Sequence, residues 1–286
     1  MPLRLPRPVL AALALGLLAA PPAACGGDDD PVATGAETTT TTAGATPPGV
    51  PAAGTGAVIE IVDEGGFVPP SQQFVTVPRL LVTADGRVVT AGVTTAIFPG
   101  PLVPVLTQRT IGEDGVASLI DLADRAGLLA DVDYSRPDDI MDAPDTVVRI
   151  TVDGTTYEHR AYALGLSGDG TERDAARAAL AEFVADATDA VTGGAGLGAE
   201  EPYVADAYLV RATPADPAEF HDGLAPTVVD WPADVPVRLA DAAECAEVPA
   251  AALDPLVADA TQLTYFAEGG TTYALAVMPR LPGRSC

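Results

Sequence analysis

Few side chains in this sequence have the chemistry of an active site. His159 and His221 are its two histidines, it has three cysteines, and all 15 of its basic residues are arginine. The absence of lysine excludes a P-loop lysine, a Schiff-base lysine and a Ser–Lys dyad. A zinc site made of histidine and cysteine would use nearly all of the residues of those types. The sequence therefore offers a small catalytic inventory.

Ser167 lies in a segment that approaches the nucleophile-elbow pattern G-x-S-x-G of hydrolases. The segment reads Gly165-Leu166-Ser167-Gly168-Asp169, and Asp169 stands where the pattern has its second glycine. It also follows a predicted strand and precedes a predicted helix, so a glycine-rich connection explains it. We therefore expect no catalytic triad of Ser167, His159 and an acidic residue.

His159 is predicted to lie on a packing face of a β-hairpin. Asp153-Gly154, between two strand-like segments, indicates a two-residue turn in which the numbers of paired residues sum to about 307. Val148 then faces His159 on the more apolar side of the hairpin. A buried general base is the functional alternative, but we expect a core histidine with one hydrogen-bond partner. His221 lies in a stretch flanked by prolines and indicates a loop.

Six aspartates lie between positions 131 and 145, and they could supply the oxygen ligands that Ca²⁺ prefers. Their spacing does not fit D-x-[DN]-x-[DN]-G, and no glutamate closes a twelve-residue loop. Two prolines in the segment indicate an irregular connection between a helix and a strand. We expect a solvated loop, with calcium binding as the alternative. The six are Asp131, Asp133, Asp138, Asp139, Asp142 and Asp145.

The charge of the chain restricts its partners. It has 40 acidic residues against 15 basic ones, a formal net charge of −25. Removal of residues 1–24 would delete Arg4 and Arg7, and 13 minus 40 gives −27. Phosphate backbones and anionic lipid surfaces repel such a polyanion, so we expect no nucleic-acid partner.

The amino terminus has the order of an export signal. Arg4 and Arg7 precede an apolar run from Val9 to Ala20, which is short for a bilayer span. Pro22-Ala23-Ala24-Cys25 then resembles a bacterial lipobox, although Pro22 stands where leucine or valine is usual. We predict a signal peptide over residues 1–24 and a lipid on Cys25, with simple secretion as the alternative. The lipid would place the protein on the outer face of the cell membrane.

Cysteine parity supports this interpretation. Cys245 and Cys286 can pair in an oxidising compartment, which leaves Cys25 for a separate role. Residues 25–56 combine the lipidated cysteine with a disordered linker rich in Thr, Pro and Gly. Such a linker has a root-mean-square reach of roughly 30 Å. Its threonine run, Thr38 to Thr42, could accept sugars.

The remainder of the chain has the pattern of an α+β fold. Hairpins are predicted around Asp85-Gly86, Asp153-Gly154 and Gly269-Gly270. Helices are predicted over residues 113–126, 171–191 and 249–260. These elements indicate antiparallel hairpins and sheets with helices packed on one face. We predict an α+β domain over residues 57–192 and a smaller α+β unit with the disulfide over residues 203–286, and we add the hypothesis that the two units are similar.

Several segments resemble a family of actinobacterial secreted proteins and lipoproteins. They include Asp63 to Pro70 (DEGGFVPP), Pro99-Gly100-Pro101-Leu102, Ala126 to Leu129, and Trp231-Pro232. The similarity covers most of residues 57–286. It implies export and a shared fold, and it implies no activity because that family has none established.

These observations favour a non-enzymatic binding module at the cell envelope that requires no cofactor. Its partners would be the membrane, through the lipid, and a protein or small molecule. Aromatic side chains such as Tyr157, Tyr162, Trp231 and Phe98 could line a ligand groove, although the core competes for them. The alternatives are a hydrolase-like envelope enzyme that uses His159 with acidic residues, and a purely structural lipoprotein.

Overall fold

The computed structural model describes residues 56–166, 172, 174–194, 196–219 and 223–286. Their fold is α+β, as predicted. The helices are α1 (Pro70–Phe74), α2 (Gly112–Arg125), α3 (Ala175–Gly193) and α4 (Ala250–Val257). The strands are β1 (Ala57–Gly65), β2 (Leu80–Thr83), β3 (Arg87–Ala91), β4 (Leu106–Thr110), β5 (Pro144–Val152), β6 (Thr155–Tyr162), β7 (Glu201–Pro202), β8 (Ala207–Pro214), β9 (Thr227–Asp230), β10 (Ala246–Pro249), β11 (Thr264–Glu268) and β12 (Thr271–Pro279).

The strands form two sheets. The seven-stranded sheet has the order β6-β5-β1-β2-β3-β4-β7 and is antiparallel throughout. The five-stranded sheet has the order β10-β8-β12-β11-β9. Its strands are antiparallel except at one edge, where β9 runs parallel to β11. The presence of two sheets accords with the hypothesis of two units.

The helices α2 and α3 cover one face of the seven-stranded sheet. Val116, Leu119, Ile120 and Ala123 recur at helical spacing in α2 and are buried, as the sequence predicts. They pack in one core cluster with Leu180 and Phe183 of α3 and with alternate residues of β1, β2, β5 and β6. Gly127 follows α2 with φ of 74°, the left-handed geometry that glycine supplies at a helix end.

The other face of the seven-stranded sheet packs against the five-stranded sheet. Leu81, Val89 and Leu106 of the first sheet share a cluster with Leu209, Met278 and Leu281 of the second part of the chain. The five-stranded sheet packs its opposite face against Leu253 and Val257 of α4 and against Trp231 and Leu239. The fold therefore has four layers in the order helix, sheet, sheet, helix.

The three predicted hairpins are confirmed. The β5–β6 pairs sum to 307, as in Val148 with His159 and Ile150 with Tyr157. Asp153 and Gly154 have φ of 51° and 77°, both positive, as this type of two-residue turn requires. The predicted start of α3 is wrong. This helix begins at Ala175, because the Asp174 carboxylate accepts hydrogen bonds from the backbone N–H groups of Ala176 and Arg177 and caps it.

Candidate functional site

His159 is a core residue with both ring nitrogens hydrogen-bonded. It is 1% exposed. Its Nε2 lies 2.8 Å from the Leu128 carbonyl oxygen, and since a carbonyl only accepts, Nε2 carries the proton. Its Nδ1 accepts from the Tyr134 hydroxyl at 2.8 Å. Burial raises the pKa of Tyr134 to about 12, so this hydroxyl remains a donor at neutral pH. The arrangement is that of a packing residue, with two partners where the sequence predicted one.

The other residues of the hydrolase hypothesis lie outside the described residues. Ser167 and Asp169 belong to residues 167–171, and His221 to residues 220–222. Because the two nitrogens of His159 already have partners, a triad would require the imidazole to leave both hydrogen bonds.

The Asp-rich segment is held against β6 by aromatic side chains. The Arg136 guanidinium lies 3.5 Å from the centre of the Tyr162 ring, a cation–π contact. The Tyr162 hydroxyl donates to the Ile140 carbonyl oxygen at 3.2 Å and accepts from the Ala143 N–H at 3.1 Å. Across the described ranges, no group of three or more His, Cys, Asp or Glu side chains is arranged to hold a metal ion.

Arg177 of α3 is a buried cation that no spacing pattern in the sequence singles out. The residue is 4% exposed. Its guanidinium pairs with the Glu172 carboxylate at 2.7 Å and donates to the carbonyl oxygens of Ser135, Tyr162 and Ala163. Hydrogen bonding by Arg177 lowers the pKa of Glu172. Since every donor direction points to an oxygen, the side chain joins the loop, the strand end and the helix, and it offers no free charge to a ligand.

Three arginines and several carboxylates line a cleft of about 610 Å³ on the face of the seven-stranded sheet opposite α2 and α3. Arg149 contacts Glu60, Glu64 and Glu158, and Arg160 contacts Glu64 and Asp145. Arg284 from the carboxyl-terminal tail contacts Glu60 at 2.5 Å. Burial, the largest influence, acts to raise the pKa of Glu64, but the hydrogen bonds from Arg160 and Arg149 outweigh it and the pKa is lowered. The charges of this cleft are satisfied internally.

Cys245 and Cys286 form the predicted disulfide, with Cα atoms 5.5 Å apart. This distance lies in the usual range for a disulfide. The bond attaches the end of the chain to the residue that precedes β10. Cys25 lies outside the described residues, as does the predicted signal peptide.

The connection between β3 and β4 presents apolar side chains to solvent. No charged residue occurs between Arg87 and Arg109 in a chain with 55 charged residues, 40 acidic and 15 basic. Within this stretch Val93 is 95% exposed, Ile97 70%, Phe98 54% and Val105 42%. Such a run is unusual on a polyanion, because isolated exposed apolar residues are common but grouped ones mark interaction sites.

The base of this connection is fixed to the second part of the chain. The Gly100 N–H donates a hydrogen bond to Gln262 Oε1 at 3.1 Å, and the Leu102 N–H donates one to the Ala260 carbonyl oxygen at 2.9 Å. Pro101 forms an isolated bridge with Thr261. The Phe98–Pro99 peptide bond is cis. Residues 93–98 therefore project from a base with defined backbone contacts.

Two cavities flank the base and share Pro101, Pro104 and Val105 in their linings. One, of about 470 Å³, lies beside the exposed tip and is lined in addition by Val75, Val77, Ile97 and Phe98. The other, of about 440 Å³, is lined in addition by Tyr203, Tyr208, Val257 and Asp254. Both volumes fall in the range of ligand pockets. We call the exposed side chains of Val93, Ile97, Phe98 and Val105, with these two cavities, the β3–β4 surface.

The polar groups of the second cavity are few. The Tyr208 hydroxyl donates to Asp254 Oδ1 at 2.7 Å, and burial together with this carboxylate raises the pKa of Tyr208 to about 12. The Tyr203 hydroxyl donates to the Arg280 carbonyl oxygen at 2.7 Å. Asp254 forms no salt bridge with any described basic residue. A mostly apolar lining with two half-buried phenols and one carboxylate is suited to binding.

Of the aromatic residues considered from the sequence, Phe98 belongs to this surface. Trp231 packs against Phe266 in the core, Tyr157 is half-buried on the β5–β6 hairpin, and Tyr162 supports the Asp-rich segment. The signal that could have located the surface is the long uncharged stretch between β3 and β4. The cavities beside it depend on contacts with residues more than 100 positions away and leave no local trace.

No protein-family model, curated protein or solved structure matches this chain. None of the helices formed by the described residues combines the length and apolar character needed to cross a membrane.

Proposed function

We propose that this protein is an extracytoplasmic binding module, tethered to the outer face of the membrane by a lipid on Cys25. In this proposal the β3–β4 surface binds an uncharged, apolar segment of a partner protein. The observation that carries the proposal is the exposure of Val93, Ile97 and Phe98 beside two cavities on a strongly acidic molecule. Exposed apolar groups gain free energy when a partner removes them from water.

The shape and charge of the surface favour a protein segment over other occupants. The two concave cavities can accept the side chains of a partner protein, whereas a flat bilayer surface would leave these cavities unfilled. The net charge of −25 opposes approach to anionic lipid and to nucleic acid, and it also opposes association of two copies. An uncharged apolar segment escapes this repulsion and matches a loop that carries no charge.

The alternative functions have less support. A hydrolase that uses His159 would need a free nitrogen, whereas both nitrogens are hydrogen-bonded to Leu128 and Tyr134. A purely structural lipoprotein would not require apolar side chains to remain in water. The proposed linker, with its reach of roughly 30 Å, would let the module meet partners close to the membrane.

Site-specific photo-crosslinking in cells tests the binding surface. A photoreactive amino acid at Ile97 is expected to give one discrete crosslinked product, and the same group at Val228 is expected to give none. Val228 is a matched control because it is 51% exposed, lies on β9 and lines neither of the two cavities. The crosslinked segment, made as a peptide, should bind the purified protein, and Ile97→Asp should weaken this binding by tenfold or more, a loss of about 1.4 kcal/mol.

The results of these experiments distinguish a partner protein from a membrane as the occupant of the β3–β4 surface. If neither position gives a discrete product, or if the peptide binds the Ile97→Asp variant equally well, the binding proposal is wrong. If the unlipidated protein instead binds neutral vesicles and Ile97→Asp abolishes that binding, the surface contacts the membrane and no partner protein is required. Fractionation tests the tether separately, because Cys25→Ala should move the protein from the membrane fraction to the medium or leave its precursor uncleaved.

A further inference from the structure

A second groove, separate from the β3–β4 surface, runs along the helical layer. It has a volume of about 400 Å³. Leu119 and Val191 are buried in its floor, and Leu122, Ile111 and Leu197 are partly exposed in its walls. Ser118, Arg125 and Asp186 are its polar side chains. The volume and the mostly apolar lining are those of a ligand site between helices.

The groove follows α2. Its α2 side includes residues from Gly115 to Arg125 and is extended by Ile111 before the helix. At 1.5 Å per residue, the 14 steps from Ile111 to Arg125 correspond to about 21 Å. Gly198, just after the end of α3, donates its N–H to the Thr110 carbonyl oxygen at 2.8 Å, next to the start of α2. The segment that follows α3 therefore lies at one end of the groove, and Arg125 lies at the other.

Arg125 is a cation without an ion-pair partner among the described residues. It is exposed, and no described carboxylate lies within salt-bridge distance of its guanidinium. By contrast, Arg149, Arg160 and Arg177 are each paired with at least one glutamate. An unpaired guanidinium at the end of an apolar groove is complementary to a carboxylate or phosphate on an aliphatic chain.

We infer that this groove binds a single-chain anionic amphiphile, such as a long-chain carboxylate, with its head group on Arg125. The extended chain would lie along α2 over Leu119 and Leu122 and end near Ile111 and Leu197. Asp186, the other charged side chain of the lining, repels an anionic head group, so the attraction for that head group comes from Arg125. The reversed orientation would leave the head group among apolar side chains, away from the guanidinium.

Calorimetric titration of the mature chain, residues 25–286 with Cys25→Ala, tests the inference with dodecanoate below its micelle concentration. Dodecanoate is expected to bind at a single site. Arg125→Gln should weaken binding by about tenfold or more, as expected for loss of a charge-assisted hydrogen bond. Arg238→Gln is the matched control, since Arg238 is also exposed and forms no salt bridge with a described carboxylate. It should leave the affinity unchanged.

Two further measurements separate head-group recognition from simple apolar adsorption. Dodecanol should bind more weakly than dodecanoate and equally to wild type and Arg125→Gln. Ala190→Trp, at an exposed position that lines the groove, should block both ligands while the unfolding midpoint stays near that of wild type. The inference fails if dodecanoate does not bind, if Arg125→Gln binds it equally, or if dodecyltrimethylammonium binds as tightly. Ile97→Asp should leave dodecanoate binding intact, so this result is independent of the proposed partner surface.

Discussion

Two buried polar side chains hold the irregular segment between residues 131 and 145 against the structure behind it. His159 bonds to Leu128 and Tyr134 on either side of the segment's start, and Arg177 bonds to the Ser135 carbonyl oxygen. Among the described residues, no buried side-chain nitrogen or oxygen lacks a hydrogen-bond partner. Because an unpaired buried polar group is costly, these bonds restrict the segment to one path.

Replacement of His159 should therefore destabilise the fold. His159→Leu introduces an apolar side chain of similar size, which leaves the buried Leu128 carbonyl and the Tyr134 hydroxyl without this hydrogen-bond partner. We expect the free energy of unfolding to fall by about 1–3 kcal/mol. His159→Gln, which can still donate to the carbonyl, should lose less. Urea unfolding measures both variants, and a His159→Leu protein as stable as wild type would show that the two hydrogen bonds contribute nothing net.

The side of the hairpin on which His159 lies could be predicted, but its partners could not. The Asp153-Gly154 turn fixes the register, and the register fixes the face. Leu128 and Tyr134 are 31 and 25 residues from His159, and their approach depends on how the Asp-rich segment folds back. The burial of Arg177 could not be predicted for the same reason, since three of its acceptors are backbone carbonyls with no sequence signature.

The charged cleft is a property of neighbouring strands. Glu60 and Glu64 on β1, Arg149 on β5 and Arg160 on β6 lie on one face because side chains alternate along each strand. Arg149 faces Glu60 across one pair of strands and Glu158 across the other. The resulting contacts support the pairing of three consecutive strands in the sheet.

This network makes stability depend on pH in the acid range. The pKa of Glu64 is lower in the folded protein than its ordinary value of 4.5, because the hydrogen bonds from Arg160 and Arg149 outweigh the effect of burial. The stabilisation from its charge is therefore fully present above about pH 4.5 and is lost as the pH falls through the lower, folded-state pKa. Glu64→Gln should reduce the free energy of unfolding at pH 7 by about 1 kcal/mol, since solvent screens the partly exposed pair.

The difference between Glu64→Gln and wild type should shrink toward zero as the pH is lowered below 4.5, which denaturant unfolding at several pH values measures. Glu182→Gln is the control, because Glu182 is exposed on α3 and forms no salt bridge with a described arginine. This control should show no such convergence. A Glu64→Gln deficit that is constant from pH 7 to pH 3 would contradict the assignment of the stabilisation to the charge.

Elements with strong local signals were predictable from the sequence, and weakly marked ones were not. The hairpins at Asp85-Gly86, Asp153-Gly154 and Gly269-Gly270 and the apolar stripe of α2 have a local cause in turn chemistry and periodicity. The two-residue strand β7 and the parallel edge strand β9 have none, since distant strands position them. The start of α3 was misplaced because Thr171 and Asp174 are both plausible caps.

The carboxyl-terminal tail connects the two sheets. Leu281 is buried in the cluster that the sheets share, and Arg284 contacts Glu60 of the seven-stranded sheet. Arg280 forms ion pairs with two residues of the five-stranded sheet region. Asp206 directly precedes β8, and Glu247 lies in β10. The disulfide then holds the last residue, Cys286, to Cys245. Cysteine parity in the sequence indicated the disulfide. The core shared by the two sheets could not be predicted, because the apolar residues of β2 and β12 do not indicate which element packs against them.

Removal of this disulfide should loosen the tail before the rest of the fold. The bond spans 41 residues, and the chain-entropy model assigns a closure of that length about 4 kcal/mol. The Cys245→Ser, Cys286→Ser double variant should lose stability up to that value in urea unfolding. Hydrogen exchange should accelerate first at Leu281 and Arg284, whose contacts with the sheets depend on the position of the tail, while the amides of α2 retain protection until global unfolding. If the amide hydrogens of Leu281 and Arg284 exchange as slowly in the double variant as in wild type, then packing and the ion pair with Glu60 hold the tail without the covalent bond.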